Sequence, residues 1–199
     1  MYVRGAKNRD EVWLLDQIER LDLDETAFRS RDYVIAIDEE TGDRAGFGRL
    51  RIHTADDGEE YGELTSIGVI EAWRNQGVGA HIIERLVELA RDEDFEEVFA
   101  LIGEPGYLEQ FGFEPIDPSA LPDKLLDRLR HKREGIEPDA VPVRLELDSF
   151  RMPPQLRDRF KAASPSDPQE EDDDGEPAED FGIDPDTATY KYDTGGGLD

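Results

Sequence analysis

The sequence of 199 residues contains no cysteine, and it has 23 lysine and arginine residues against 50 aspartate and glutamate residues. Without cysteine, disulfide bonds, zinc–thiolate sites and thiol nucleophiles are all excluded. No apolar run approaches the roughly 18 residues that a membrane-spanning helix needs. The first residues, Met1 to Gly5, lack the apolar core of a secretory signal, so we expect a cytoplasmic protein with no membrane segment.

The formal net charge of −27 limits the partners that the protein can bind. A field of this sign repels nucleic acid and anionic membranes, so we expect neither as a partner. Many carboxylates with few lysines and no cysteine resemble the composition of a salt-adapted protein, in which dissolved ions screen the self-repulsion. The alternative is an ordinary acidic protein whose charge is concentrated in a tail.

The distribution of charge divides the chain into two parts. Residues 162–199 contain 13 acidic residues and one lysine, and their few apolar residues follow no period. Such a segment cannot bury enough apolar surface to offset its ordering entropy, so we predict a disordered acidic tail. Residues 1–161 are long enough for one hydrophobic core. They carry a net charge of −15 themselves, which favours the salt-adapted interpretation.

Apolar periodicity in residues 1–161 predicts a mixed sheet with helices. The predicted strands lie near residues 2–6, 33–37, 45–54, 63–70, 97–102, 113–116 and 141–147. The predicted helices lie near residues 9–21, 24–30, 78–90, 106–111 and 122–133. The strands between residues 33 and 70 form an antiparallel meander, and the strand–helix–strand unit after them implies a parallel pair. The fold class is therefore α/β or α+β.

The segment from Val69 to Ala80 contains the most informative motif of the sequence. An apolar strand ends there, a short loop contains Gly77 and Gly79, and an amphipathic helix begins. The first amides of a helix have no intrahelical partner, and together with the helix dipole they attract anions. Glycine lets a diphosphate approach the backbone closely. The alternative is that the two glycines only permit a tight turn.

The pattern Arg74-x-x-Gly77-x-Gly79 resembles the Arg/Gln-x-x-Gly-x-Gly/Ala signature of the GNAT N-acetyltransferase superfamily. The segments LTSIGVIEAWRNQGVGAHIIERLVELA and GYLEQFGFEPI, and the order of elements from residue 1 to 147, resemble that family too. The resemblance implies a mostly antiparallel central sheet flanked by helices, with acetyl-CoA as cosubstrate and no metal. It also implies these cofactor-binding residues: Ile67, Gly68, Val69, Arg74, Asn75, Gln76, Gly77, Val78, Gly79 and Ala80.

Gly68 lies inside a predicted strand, where a glycine often marks a bulge or a close backbone approach. The resemblance implies that this strand bulges and diverges from the next one. The pantetheine arm of the cofactor then lies between the two strands, with residues 67–69 at the acetyl end. The alternative is that Gly68 makes room for a packed helix.

Acetylation of an amine needs a base for the ammonium proton and a donor for the leaving thiolate. Glu63 is the candidate base, because a general-base glutamate occupies the matching place in some members of the resembled family. Its apolar neighbours are expected to raise its pKa, and the alternative is a solvated charge. Tyr107 is the candidate acid. It lies one residue before the position of the family's usual tyrosine, which is Leu108 here, so Tyr107 is alternatively a core residue.

The resemblance implies an N-acetyltransferase that transfers the acetyl group directly to an amine of a small molecule, an amino acid or a protein, as a monomer or homodimer. A noncatalytic acyl-CoA-binding module is the alternative, and a scaffold for the acidic tail is a third. Residues 22–32 and 117–140 are expected to form the acceptor site.

A basic run stands out in the acidic chain. It either complements a helix dipole or recognises an acidic substrate or the cofactor's ribose phosphate. Its members are Arg128, Arg130, His131, Lys132 and Arg133. The three histidines, His53, His81 and His131, lack metal-ligand spacing, and His81 is expected to be exposed.

Overall fold

The computed structural model describes residues 1–135 and 137–165, and a single mixed sheet forms their centre. Its strands are β1 (Tyr2–Gly5), β2 (Tyr33–Ile37), β3 (Arg44–Thr54), β4 (Glu60–Val69), β5 (Glu97–Ile102), β6 (Glu114–Pro115) and β7 (Val141–Glu146). They are ordered β1-β2-β3-β4-β5-β7-β6, and all neighbours are antiparallel except β4 and β5. The predicted meander, the parallel pair and the mostly antiparallel sheet are confirmed.

Helices cover both faces of this sheet. They are α1 (Glu11–Arg20), α2 (Val78–Asp92), α3 (Gly106–Glu109), α4 (Asp123–Glu134) and α5 (Pro154–Ala162). Successive strand residues point to opposite faces, so alternate residues of β2 pack with α1 or with α2. The same alternation in β5 separates the side chains that contact α4 from those in the core around α2 and α5. Helices α1 and α4 therefore form one layer, and α2 and α5 form the other. No helix of the described residues is long and apolar enough to cross a membrane.

The predicted helix at residues 24–30 is wrong, whereas the predicted helix at residues 9–21 is present as α1 and starts slightly later. Side-chain hydrogen bonds explain both local structures. The predicted helix at residues 24–30 is irregular, because the Asp24 carboxylate accepts the amide of Thr26 and Ala27 adopts a positive φ of 52°. The predicted helix at residues 9–21 begins with a 3₁₀ turn, Asn8–Asp10. The buried Asp10 carboxylate, 2.9 Å from the Lys7 amide, makes the capping bond there.

The carboxy-terminal part of the chain contains a helix that periodicity did not predict. α5 follows β7 and packs on the α2 layer through Leu156 and Phe160. It extends to residue 162, one residue beyond the predicted domain boundary. The predicted tail falls outside the described residues from position 166 onward.

Strand β4 is irregular at its middle. Phe47 of β3 pairs with Gly68 of β4, whereas Arg49 pairs with Thr65, so β4 has one extra residue there. Ser66 has a positive φ of 48°, and its hydroxyl donates to the Asp24 carbonyl at 2.8 Å. The bulge therefore connects β4 to the segment that follows α1.

Candidate active site

The loop before α2 presents backbone amides where the motif predicts them. Gly77 caps α2 with a φ of +74°, and Asn75 also has a positive φ of 60°. The helix's hydrogen bonding begins with the bond from the His81 amide to the Gly77 carbonyl, at 3.2 Å. The amides of Val78 and Ala80 precede this bond, and the positive end of the helix dipole lies beside them. This arrangement suits phosphate oxygens.

The ten predicted cofactor residues lie on two adjoining segments. Ile67, Gly68 and Val69 form the end of β4, and residues 74–80 form the loop and the first turn of α2. Only a 3₁₀ turn, Glu71–Trp73, with its flanking residue separates them. The structure therefore brings together the residues that the resemblance groups.

Helix α5 explains why residue 77 is a glycine. A Cβ atom at Gly77 would lie 2.2 Å from the Leu156 carbonyl oxygen and 3.2 Å from the Phe160 nitrogen. Just beyond α5, the Ser164 amide donates to Gln76 Oε1 at 2.8 Å. The backbone of α5 therefore takes the space that a Cβ atom of residue 77 would need, and the close approach of a diphosphate to this glycine stays a prediction. The amides of the residues that follow Gly77 still form the first turn of α2.

His81 is buried, so the prediction of an exposed side chain is wrong. Its ring stacks on Phe160 with a centroid distance of 3.8 Å and an angle of 8°. Nδ1 lies 2.9 Å from the Gly77 carbonyl, which requires the proton on that nitrogen. Burial lowers the pKa of His81, even though the Gly77 carbonyl and Glu84 act in the opposite direction. A neutral His81 therefore joins α5 to the loop.

We expect acid to loosen this contact. Because the folded-state pKa of His81 lies below its ordinary value of 6.5, the unfolded chain binds the proton more readily. The stability that neutral His81 contributes is complete above that value and is lost as the pH falls below it. A series of thermal melts from pH 8 to pH 5 should show this loss for the unmodified chain. His81→Asn, which cannot titrate, should show a smaller loss, and an equal slope in both would contradict the assignment.

Strands β4 and β5 are paired for only a short distance. Their register contains the pairs Gly62–Val98 and Glu63–Phe99, after which β4 continues to Val69 without pairing to β5. The divergence that the resemblance implies is therefore present. It begins at Glu63.

Gly68 has a packing role in addition to its place on this diverging strand. A Cβ atom there would lie 2.7 Å from Leu21 Cδ1 and 3.0 Å from Phe47 Cζ. The bulge itself lies at Ser66 and Ile67, slightly earlier in the strand. These distances agree with the alternative interpretation, in which Gly68 makes room for the packed end of α1.

Glu63 is completely buried at the point where the two strands diverge. His53 Nε2 lies 2.7 Å from Glu63 Oε2, and Arg128 Nε donates to the same oxygen at 3.4 Å. Burial alone would raise the pKa of Glu63, but the hydrogen bond from His53 and the charge of Arg128 outweigh it and hold the pKa below its ordinary value. The predicted rise of the pKa is therefore wrong, and so is the alternative of a solvated charge.

The two segments predicted to form the acceptor site meet at Glu63. Asp24, after α1, forms an ion pair with Arg128 of α4. Arg51, the cross-strand partner of Glu63, has Nη1 3.8 Å from Asp24 Oδ2. We call Asp24, Arg51, His53, Glu63 and Arg128 the charged cluster.

The basic run of α4 divides into two groups. Arg128 and Lys132, one helical turn apart, point toward the sheet. Lys132 Nζ donates to the Leu101 carbonyl at 2.5 Å and pairs with Glu137 at 2.7 Å. Arg130 is exposed and pairs with Asp127. Arg128 alone of these residues belongs to the charged cluster.

Tyr107 lies in the layer opposite the charged cluster. It is half-buried in α3 and packs against the core around α2, edge-on to Phe111 with ring centroids 5.4 Å apart. Glu63, by contrast, shares its face of the sheet with Phe99, which packs against α4. The assignment of Tyr107 as an acid stays a prediction.

His53 and Arg51 are residues of the site that the sequence reasoning missed. The sequence Asp56-Asp57-Gly58, which is typical of a turn, could have revealed them, because it sets the register of the hairpin. That register pairs Arg51 with Glu63, and His53 follows on the same face two residues later. In the described parts of the chain, no group of three or more His, Asp and Glu side chains could hold a metal ion.

Two features of the fold are typical of one class of protein, the acyl-CoA-dependent acetyltransferases. The parallel strands β4 and β5 diverge, and the adjacent helix α2 begins at a glycine-containing loop. Residues 5–113 match the Acetyltransferase (GNAT) family. The chain belongs to this family.

Two relatives share part of the sequence. An uncharacterized N-acetyltransferase of Chlorobaculum tepidum is 30% identical over 63 residues, which are 32% of this chain and 41% of the relative. The amino-acid acetyltransferase of Mycobacterium tuberculosis is 28% identical over 88 residues, 44% of this chain and 48% of the relative. The match therefore spans less than half the length of either relative.

Two solved structures share the fold. The N-acetylglutamate synthase of Neisseria gonorrhoeae, complexed with coenzyme A and N-acetyl-glutamate, aligns with a TM-score of 0.60 and 18% identity over 73% of this chain and 34% of its own. A Mycobacterium tuberculosis protein in complex with CoA aligns with a TM-score of 0.59 and 19% identity over 73% of this chain and 99% of its own. At these identities the likeness defines the fold alone.

Proposed function

We propose that the protein transfers the acetyl group of acetyl-CoA to a primary amine by direct attack in a ternary complex. The observation that carries the proposal is the divergence of β4 from β5 at Glu63. Residues 67–69 form an edge of β4 that is not paired with β5, and we call them the strand edge. This edge extends from the loop before α2 toward the buried carboxylate of Glu63. Membership of the GNAT family and the CoA in the two structural neighbours support the same activity.

The loop before α2 and the strand edge bind different parts of acetyl-CoA. Residues 74–80 bind the diphosphate through backbone amides at the start of α2. Residues 67–69 offer main-chain groups to the pantetheine arm, as an added strand would. The thioester then lies near the point where the strands meet.

Glu63 accepts a proton from the acceptor's ammonium group. Its low pKa keeps it ionised near neutral pH, so it is ready to accept. The neutral amine attacks the thioester carbonyl and a C–N bond forms. The nitrogen then loses its second proton to water as the C–S bond breaks with its electron pair leaving on sulfur. Tyr107 or a water molecule returns a proton to the thiolate.

The test is an assay of free thiol release with acetyl-CoA and a panel of amines, amino acids and peptides. It uses the full chain in concentrated and dilute salt, because the composition resembles that of a salt-adapted protein. We expect thiol release that depends on an amine, with the acetylated amine identified by mass. Calorimetry with CoA accompanies the assay. Binding heat without thiol release would favour the noncatalytic acyl-CoA-binding alternative, and no heat would overturn both.

A further inference from the structure

Polar atoms that lack a protein partner collect in the charged cluster. Within residues 1–135 and 137–165, Glu63 Oε1, Arg51 Nη1 and Thr65 Oγ1 are buried and make no hydrogen bond to protein. The register places them together, because Arg51 is opposite Glu63 and Thr65 lies two residues further along β4. A buried polar atom without a partner costs free energy, so these atoms point to a polar ligand.

The two carboxylates and the two arginines of the cluster balance each other in charge but are unevenly paired. Arg128 contacts both carboxylates, through Nη2 to Asp24 and through Nε to Glu63. Among the carboxylates of the described residues, Arg51 forms an ion pair only with Asp24, at a distance of 3.8 Å that is too long for a hydrogen bond. Burial and the like charge of Arg128 lower the pKa of Arg51, so its guanidinium lacks full counter-charge. Two charged atoms of the cluster therefore lack a hydrogen-bond partner in the described residues: the donor Arg51 Nη1 and the acceptor Glu63 Oε1.

Nearby ionic groups do not change this balance. Lys132 is already paired with Glu137, and Arg49 is paired with Asp32. The hydrogen bond from His53 leaves Glu63 ionised. A ligand with a single charge would leave the buried cluster with a net charge, which is costly. A ligand with one ammonium and one carboxylate preserves the balance.

We propose that the acceptor is a zwitterionic α-amino acid, with its amine at Glu63 Oε1 and its carboxylate at Arg51 Nη1. This inference rests on the proposed function, because it assumes that Glu63 receives the amine. In an α-amino acid both groups are bonded to the same carbon atom. Opposed residues of an antiparallel pair have Cβ atoms about 5 Å apart, so one small molecule can contact both. The carboxylate gains charge-assisted hydrogen bonds from the guanidinium.

The surrounding structure holds this site in place, and its arginine lies closer to solvent than its glutamate. Arg49 is buried and donates to the Thr26 and Ala27 carbonyls at 2.9 and 2.6 Å, which fixes the segment after α1 on the sheet. The exposed fraction of the side chain is 16% for Arg51 and 0% for Glu63. Because Arg51 Nη1 and Glu63 Oε1 are themselves buried, a ligand must displace neighbouring side chains on the arginine's side to reach them.

The first experiment needs no variant. The full chain is assayed with free α-amino acids, with the matching α-amides and with simple alkylamines, at saturating acetyl-CoA. The amides keep the amine and the side chain but lose the carboxylate charge. We expect kcat/KM for the acids to exceed that for the matching amides by at least about tenfold, as loss of one charge-assisted hydrogen bond implies. Equal or better turnover of the amides or alkylamines would overturn the inference while the proposed function stands.

The second experiment replaces the arginine. Arg51→Gln should raise KM for the free acids by about 10- to 100-fold and leave KM for the amides and for acetyl-CoA nearly unchanged. Arg51→Lys should recover part of the loss, because it restores the charge without the guanidinium geometry. Arg130→Gln, which removes an exposed arginine of α4, is the matched control and should change nothing. An equal loss for acids and amides would assign Arg51 a structural role and contradict the inference. Absence of turnover with every amine would instead contradict the proposed function.

Discussion

Glu63→Gln should lower kcat by at least about a hundredfold, within the range that a positioned general base contributes. The amide has the size of the carboxylate, so it keeps a contact with His53, which lies 2.7 Å away. It cannot accept the ammonium proton, and the acceptor must then react from its small neutral fraction. The affinity for acetyl-CoA should change little, because the diphosphate loop lies at the other end of the strand edge. Steady-state kinetics with both substrates, together with CoA calorimetry, measure these effects.

Glu60→Gln is the matched control for this prediction. Glu60 begins the same strand and is exposed, and its Oε1 accepts a long hydrogen bond of 3.4 Å from the Thr54 hydroxyl. Its replacement should leave kcat unchanged. The pH profile separates catalysis from folding, because raising the pH should partly rescue Glu63→Gln as the acceptor loses its proton unaided. Equal turnover of Glu63→Gln and the unmodified chain would remove Glu63 from the mechanism.

Most of the sheet could be predicted from the sequence because its patterns are local. Alternation from Tyr33 to Ile37 and the apolar stripe of α2 are short-range signals, and both correspond to observed elements. The segment at residues 24–30 misled because its side chains bond to their own backbone, as Asp24 does with the Thr26 amide. Composition does not reveal such competition. Helix α5 was missed because only Leu156 and Phe160 of its nine residues are buried.

The site was predicted as a set of cofactor residues but not as an electrostatic arrangement. The resemblance grouped the end of β4 with the loop before α2, and the two segments adjoin in the structure. The lowered pKa of Glu63 was not predictable, because Arg128 lies 65 residues away in sequence and reaches Glu63 only after α4 docks. His81 shows the same limit, since its burial depends on the distant Phe160. Long-range contacts of this kind decide charge states.

Gly77→Ala should destabilise the protein more than an ordinary glycine substitution. The left-handed backbone of Gly77, with its φ of +74°, costs a non-glycine residue about 1–3 kcal/mol. The added methyl group also collides with the Leu156 carbonyl, which would lie 2.2 Å away. A backbone carbonyl cannot rotate out of the way as the end of a flexible side chain can, so the whole of α5 must shift. The buried side chains of Leu156 and Phe160 then lose packing contacts with the core. We expect an additional loss of about 2 kcal/mol in the free energy of unfolding.

Gly42→Ala separates the two causes, because Gly42 has nearly the same φ of +78° but no atom of the described residues lies within 4 Å of an added Cβ. The difference in free energy of unfolding between the two variants, measured by denaturant titration, therefore reports the collision with α5. CoA calorimetry on both variants then tests the loop itself. Gly77→Ala should weaken CoA binding, because a shift of that turn also displaces the amides of Val78 and Ala80 that follow it. Gly42→Ala should bind CoA normally. Equal stabilities and equal CoA affinities would mean that α5 does not hold the loop in solution.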